Sequence, residues 1–202
     1  MNDDKTPREI LNRFYAEHNL DADGGQNKSY VKIAITPKFH FYFPNFDARK
    51  KAVIKHDIHH LLTEYETTVA GESEISAWEV ASGCKNYWAA FFIDVSGAML
   101  GILTNFWGVF KAFARGRRTK NLYHNTFTTE QALDTKISKL RAAFNLDKYP
   151  IDTKPTFIDF VLFMLFVFLG GIYSICLWIF IPVIIFYSIY IELKITYKNQ
   201  YQ

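Results

Sequence analysis

The sequence predicts an all-α protein, a helical bundle with a metal site between two helices and a membrane hairpin at its C-terminal end. Half of the 202 residues are hydrophobic and 17% are aromatic, so the chain can bury a large core. Apolar residues recur at helical spacing through much of residues 47–144, and a long run without charge follows. We divide the chain into an N-terminal helix and loop (1–28), a helical core (29–150) and a membrane segment (156–193).

The first predicted element is a short amphipathic helix in TPREILNRFYAEHN, with Thr6 as its N-cap and Pro7 at its first position. The next stretch, YVKIAITPKFHFYFPN, is rich in β-branched and aromatic residues but contains two prolines, which predicts an irregular, partly extended segment. Helices should then cover residues 47–67, 72–93 and 97–115. The stretch TTEQALDTKISKLRAAFNL predicts one amphipathic helix that begins with a capping box formed by Thr128 and Gln131.

The membrane segment is predicted from residues 160–191, which contain no charged side chain. One straight helix of this length would extend about 48 Å, whereas the hydrocarbon core of a bilayer is about 30 Å thick. We therefore expect a hairpin or two short spans that turn near Gly170 and Gly171. A single tilted helix and a buried pair of core helices are the alternatives. Charged residues flank both ends, so charge does not give the orientation.

A cluster of histidines in KHDIHHLLTEYETTVAGESE predicts a metal site. On a helix, His56 and His60 lie on one face, Asp57 lies three residues before His60 on the same face, and His59 points away. Nitrogen and carboxylate oxygen donors suit a borderline divalent cation, and we expect zinc. The apolar residues around the cluster indicate a largely buried helix, in which these polar groups need a partner.

The fourth metal ligand should come from another direction. Glu64 continues the same helix face, whereas Glu72 and Glu74 follow Gly71, where the chain can turn back. A ligand from a second helix closes a site better than a fourth from the same helix, so Glu72 is favoured. His59 and Glu64 are the candidates for a proton shuttle.

Other metal motifs fit less well. A zincin requires HExxH, and the shorter Asp57 is poorly placed as its general base. HDIHH also matches one box of the membrane di-iron desaturases, but those enzymes use more than the six histidines of this chain. We find no convincing ligand set for a His-Asp nucleotide phosphohydrolase. Two distant cysteines argue against a disulfide framework, and a net charge of +3 argues against nucleic-acid binding.

A basic cluster follows the third core helix and is predicted to contact lipid phosphates at a membrane surface. Cations at a helix C-terminus also complement the helix dipole, which is the alternative explanation. The cluster consists of Lys111, Arg115, Arg117, Arg118 and Lys120.

The metal motif resembles the HDxxH-x11-E signature of the coenzyme Q biosynthesis protein four family, which acts in ubiquinone biosynthesis. His56, Asp57, His60 and Glu72 match its four ligand positions. The stretch GRRTKNL is similar to a basic stretch of bacterial members, although Asn121 stands where proline is usual. Glu130 and Arg141 also fall at positions where members carry these residues. The resemblance covers roughly residues 30–147.

The resemblance implies an all-α fold, a metal held by those four residues, and a hydrophobic cavity for a polyprenyl tail. It implies oxidative decarboxylation of a prenylated hydroxybenzoate, and association with membranes and other quinone-biosynthesis proteins. We expect an integral membrane protein with its core on the cytoplasmic face, and a homo-oligomer. The alternatives are a non-catalytic scaffold that binds prenyl lipids, with a structural metal, and a metal hydrolase at the membrane surface.

Overall fold

Helices account for most of the structure, in agreement with the predicted class. The computed structural model describes residues 4–17, 28–34 and 40–200. Within these residues the strands are β1 (Tyr30–Ala34) and β2 (His40–Pro44), which pair antiparallel. Two 3₁₀ turns cover Leu122–His124 and Trp178–Phe180. The α-helices, in chain order, are α1 (Pro7–Glu17), α2 (Asp47–Thr63), α3 (Val69–Ser82), α4 (Trp88–Thr104), α5 (Phe106–Gly116), α6 (Thr129–Leu133), α7 (Ile137–Ala143), α8 (Phe157–Leu177) and α9 (Ile181–Gln200).

The central helices break at different residues from those predicted. The predicted second helix crosses residues 83–87, but Gly83 and Asn86 have φ angles of 102° and 60° there, so α3 ends before them. The helix that follows, α4, then runs unbroken through the boundary predicted at residues 93–97. Near the end of the core, the capping box of Thr128 and Gln131 is confirmed. The single helix predicted there is instead the pair α6 and α7.

Small residues let α3 pack closely against α4 and α5. A Cβ atom on Gly101 would lie 2.2 Å from the Ser73 Cβ, and one on Gly116 would lie 2.5 Å from the carbonyl oxygen of Trp78. Trp78 is fully buried, and its indole N–H donates to the Thr119 hydroxyl at 2.9 Å. Such contacts fix α3 at the centre of the core, where it faces α2 and the metal-site histidines.

The C-terminal segment differs from the predicted hairpin. Helix α8 passes through Gly170 and Gly171 without a turn, and the break comes at Trp178–Phe180. Helix α9 then packs against β2, where the Ser188 hydroxyl accepts from the Tyr42 N–H at 2.9 Å and donates to the Tyr42 carbonyl at 3.2 Å. By length and composition, α8 is the one helix in the described residues that could cross a membrane.

The predicted membrane segment is not a separate appendage. Phe163 on α8 is fully buried against Phe110 and Phe113 of α5, in the same core cluster as Leu11 of α1. The predicted division into three segments therefore does not correspond to three packing units, because one core includes side chains from all of them.

Candidate metal centre

Helices α2 and α3 bring three of the predicted ligands together. His56 and His60 stack one turn apart on α2, and Glu72 lies in the first turn of α3, after the N-cap Thr68. The two Nε2 atoms lie 3.2 Å apart, and each lies 3.3 Å from an oxygen of Glu72. In a tetrahedral site with bonds of about 2.0–2.1 Å, neighbouring donors lie about 3.3–3.4 Å apart. Glu72 Oε2 is the oxygen near His56 and Oε1 is the oxygen near His60, so each nitrogen–oxygen pair, and the pair of nitrogens, has about the spacing that a zinc-sized ion needs.

The protons of the two imidazoles lie on the far side from this point. His60 Nδ1 lies 2.9 Å from the Tyr65 carbonyl oxygen, and His56 Nδ1 lies 3.0 Å from a carboxylate oxygen of Glu79. Both oxygens only accept, so each Nδ1 carries a proton, which leaves Nε2 as the nitrogen that can bind a cation. The two Nε2 atoms and the Glu72 carboxylate then face the same point, where a cation would fit. Outer partners of this kind orient metal-binding histidines in proteins.

The pKa shifts of Glu72 and His56 indicate that the site favours positive charge. Burial alone would raise the pKa of Glu72, but hydrogen bonds from His56 and His60 outweigh it and lower the value to about 2. Burial disfavours the charged form of His56, yet the Glu79 and Glu72 carboxylates raise its pKa well above the ordinary histidine value.

Glu79 is a part of the site that the sequence analysis missed. Its fully buried carboxylate accepts from His56, from His59 Nδ1 at 2.5 Å and from the Tyr123 hydroxyl at 3.2 Å. Burial would raise the pKa of Glu79, but the two histidines lower it well below its usual range. The available signal was its spacing, since Glu79 follows Glu72 by two helical turns and shares its face.

Asp94 also reaches the site, from α4. Asp94 lies inside the helix and is only 3% exposed. His56, Glu79 and Asp94 form a second group whose donor atoms lie within 4.8 Å of one another. Burial and the neighbouring Glu79 carboxylate raise the pKa of Asp94 well above its ordinary value.

The other predicted site residues lie outside the three-donor group. Asp57 lines the adjacent cleft, but its carboxylate accepts a hydrogen bond from the Tyr15 hydroxyl and joins neither donor group of the described residues. His59 is fully buried, and its Nε2 accepts from the Leu122 N–H at 3.0 Å. Glu64 follows the end of α2 and lies 3.6 Å from Arg141. Neither shuttle candidate is placed to exchange protons with a ligand in the cleft.

An apolar cleft of about 450 Å³ adjoins the three donors, between α2, α3 and α4. His56, Asp57 and Glu72 line the cleft, and so does Leu100, which is exposed on the surface of α4. The remaining wall is mostly aliphatic or small, with Arg49 as its basic residue; its members include Ala52, Val53, Val69, Ser73, Ser76, Ala90, Ile93, Gly97 and Gly101. Such a space suits a ligand with one polar end and an apolar body.

The arginines of the predicted basic cluster have partners within the protein. Arg115 is 1% exposed and donates to the carbonyl oxygens of Thr63 and Tyr149, both at 2.8 Å. Arg117 and Arg118 both pair with Asp159 at the start of α8. Lys111, Arg117 and Lys120 are exposed, so the contact of the cluster with lipid phosphates stays a prediction.

Two residues outside the metal motif that were compared with the family, Asn121 and Glu130, have structural roles. Asn121 is buried, donates to the Ser82 hydroxyl at 2.8 Å and accepts from the Tyr123 N–H at 2.8 Å. It thereby shapes the turn that presents the Leu122 N–H to His59. Glu130 pairs with Arg8 at 2.7 Å.

Comparison of the chain with protein-family models, with curated proteins and with solved structures found no match.

Proposed function

We propose that the protein is a membrane-anchored metalloprotein that binds a prenylated aromatic acid in the biosynthesis of ubiquinone or a related prenylquinone. The observation that carries the proposal is the convergence of His56, His60 and Glu72, at the spacing of metal donors, beside an apolar cleft. Helix α8 supplies the anchor, and we place the core on the cytoplasmic face. The choice of pathway and substrate rests on the resemblance of the motif.

A divalent cation, which we expect to be zinc, would be held by the two Nε2 atoms and Glu72. Three protein donors leave a position for a ligand atom, as in catalytic zinc sites, whereas structural sites use four. When bound, such a cation supplies Lewis acidity toward an oxygen atom of the ligand. The outer groups, Glu79 and the Tyr65 carbonyl, would hold the Nδ1 protons and so turn the two Nε2 atoms toward the cation.

The cleft residues would position the ligand. The acid head group belongs at the donor end, where Arg49 offers a second positive charge on the cleft wall. The prenyl tail would extend along Val53 and Ile93 toward Leu100. This orientation matches polar ends with polar walls and removes the tail from water.

The reaction that we propose is the one implied by the resemblance. The ring carboxyl group leaves as carbon dioxide and a hydroxyl group takes its place, which is a two-electron oxidation. We assign dioxygen as the oxidant: one of its atoms becomes the new hydroxyl oxygen, and the other leaves as water with two protons and two electrons from an external reductant of the hydride or ferredoxin class.

Elemental analysis of the detergent-solubilised full chain tests the metal. We expect about one divalent ion per chain in the parent, retention in Glu66→Ala, and loss in His60→Ala. Glu66 is a suitable control because it is an exposed glutamate on the loop between α2 and α3. A parent protein without metal after loading with zinc would refute the proposal.

Mass spectrometry of an organic extract of the same protein tests the ligand. We expect a prenylated aromatic acid in the parent, and its loss in Val53→Trp, which narrows the cleft while leaving the three donors in place. If the parent extract holds only the phospholipids of the host membrane, the substrate assignment is wrong.

A further inference from the structure

Helix α4 carries an apolar surface that the core does not cover. Counted at about 100° per residue, Ile93, Leu100 and Leu103 fall within a sector of about 80°, and they are 42%, 69% and 82% exposed. The only charged residue of α4 is Asp94, which is turned inward. Exposed tryptophans lie near the two ends of this surface, Trp88 at the start of α4 and Trp107 on α5.

This surface is continuous with α8. On one side of the exposed sector, Phe92 stacks on Tyr173 of α8 with ring centroids 5.5 Å apart, and Met99 packs on Gly170. On the other side, Gly101 packs on α3. The exposed sector therefore lies between α8 and the part of the core that contains the metal donors.

The contacts along α8 fix the depth of α4 relative to the membrane. The polar end of α8 is marked by Asp159, which pairs with Arg117 and Arg118 and belongs outside hydrocarbon. Gly170 and Tyr173 lie about 17 and 21 Å further along the helix axis. The middle of a hydrocarbon core lies about 15 Å from its edge. A bilayer crossed by α8 would therefore surround the part of α8 against which α4 packs.

We infer that α4 is immersed in hydrocarbon beside α8, with the sector of Ile93, Leu100 and Leu103 in contact with lipid chains. At 17 residues, or about 25 Å, α4 is too short to cross the bilayer, and it is held in the membrane by its packing on α8. Aromatic residues such as Trp88 and Trp107 are enriched at the boundary between hydrocarbon and water. The inference rests on the membrane anchorage in the proposed function.

The immersion gives the cleft an opening to the lipid phase. Ile93 and Leu100 belong both to the exposed sector and to the wall of the cleft. A lipid-soluble ligand can enter the cleft from the bilayer beside Ile93 and Leu100 and reach His56 without crossing water. The occupant of the surface is thus the hydrocarbon of a bilayer, and not a second copy of the chain.

Spin labelling of the full chain in phosphatidylcholine–phosphatidylglycerol vesicles tests the inference. Single cysteines are placed at Leu103 on α4, at Phe168 on the exposed side of α8 and at Lys139 on the polar helix α7, after Cys84→Ala and Cys176→Ser. Collision with oxygen, which concentrates in hydrocarbon, is compared with collision with an aqueous nickel chelate. Retained metal content shows that each labelled protein is folded.

We expect labels at Leu103 and Phe168 to collide with oxygen several-fold more often than with the nickel chelate. The label at Lys139 should show the reverse ratio. If Phe168 lies in hydrocarbon while Leu103 resembles Lys139, the immersion of α4 is refuted and the anchorage by α8 stands. If both Phe168 and Leu103 face water, the anchorage itself fails, and the inference with it. Shielding of Leu103 from both reagents would mean that protein covers the surface, which also overturns the inference.

Discussion

Replacement of Glu79 separates the charge of the outer carboxylate from its hydrogen bonds. One oxygen of Glu79 accepts from both His56 Nδ1 and His59 Nδ1, at 3.0 and 2.5 Å, and the other accepts from Tyr123. In Glu79→Gln, the amide oxygen can keep both histidine contacts while its NH₂ group donates to the tyrosine oxygen. Glu79→Ala removes the acceptor and leaves two buried imidazole N–H groups without a partner.

The loss of an outer-sphere partner typically weakens metal binding by about 10–100-fold, which corresponds to about 1.4–2.7 kcal/mol. We expect Glu79→Gln near the lower end of this range, because only the charge is lost, and Glu79→Ala near the upper end. The measurement is competition for zinc against a chromophoric chelator at fixed pH, since protons compete with the metal. Glu72→Ala is the reference for loss of a direct ligand.

Two results would refute this reasoning. If both Glu79 variants bind zinc as tightly as the parent, the carboxylate does not orient His56. If Glu79→Ala loses the metal as completely as Glu72→Ala, then Glu79 is a direct ligand and the three-donor description is wrong.

Three further predictions concern the packing around the site. Gly101→Ala should lower the free energy of unfolding by about 1–3 kcal/mol, because the new Cβ would lie 2.2 Å from the Ser73 Cβ. Gly171→Ala is the control, since a Cβ there would meet no atom within 4 Å and should change the free energy by less than about 0.5 kcal/mol. Thermal unfolding of both variants in detergent makes the comparison. Arg115→Met should lower the free energy of unfolding by about 2–6 kcal/mol, because two buried carbonyl groups lose their donor at about 1–3 kcal/mol each. Unchanged stability with reduced vesicle binding would contradict this structural role and support contact of Arg115 with lipid phosphates. Deletion of residues 157–202 should give a core that aggregates in size-exclusion chromatography, because the buried contact of α8 with α5 is lost. A soluble monomer would show instead that the core folds without the C-terminal segment.

Local spacing was sufficient to predict the three donors. Two of them lie one turn apart on a single helix, and the third follows in the first turn of the next helix, so the prediction needed only helical periodicity and one reversal of the chain. The capping box of Thr128 and Gln131 was equally local. Each of these features depends on residues that are close in sequence.

Features that depend on distant partners were not predictable in the same way. The basic cluster was predicted from residues close in sequence, but the environment of its arginines depends on α8, which begins at Phe157 and brings Asp159 against Arg117 and Arg118. Similarly, Glu79 and Asp94 gain their roles from side chains on other helices. Burial of a charged residue is decided by tertiary contacts, which periodicity alone does not contain.

The hydrogen bonds at the end of α2 have a consequence for the order of folding. Arg115 on α5 donates to the Thr63 carbonyl, 52 residues away, and Arg141 on α7 donates to the Leu62 carbonyl, 79 residues away. The C-terminal end of α2, the helix that carries the histidines, is thus stabilised by residues much later in the chain. Contacts between residues so far apart in sequence form late in folding, because closing a long loop costs entropy. Acquisition of metal by the growing or refolding chain would then mark the completion of the tertiary structure, not the appearance of the helix.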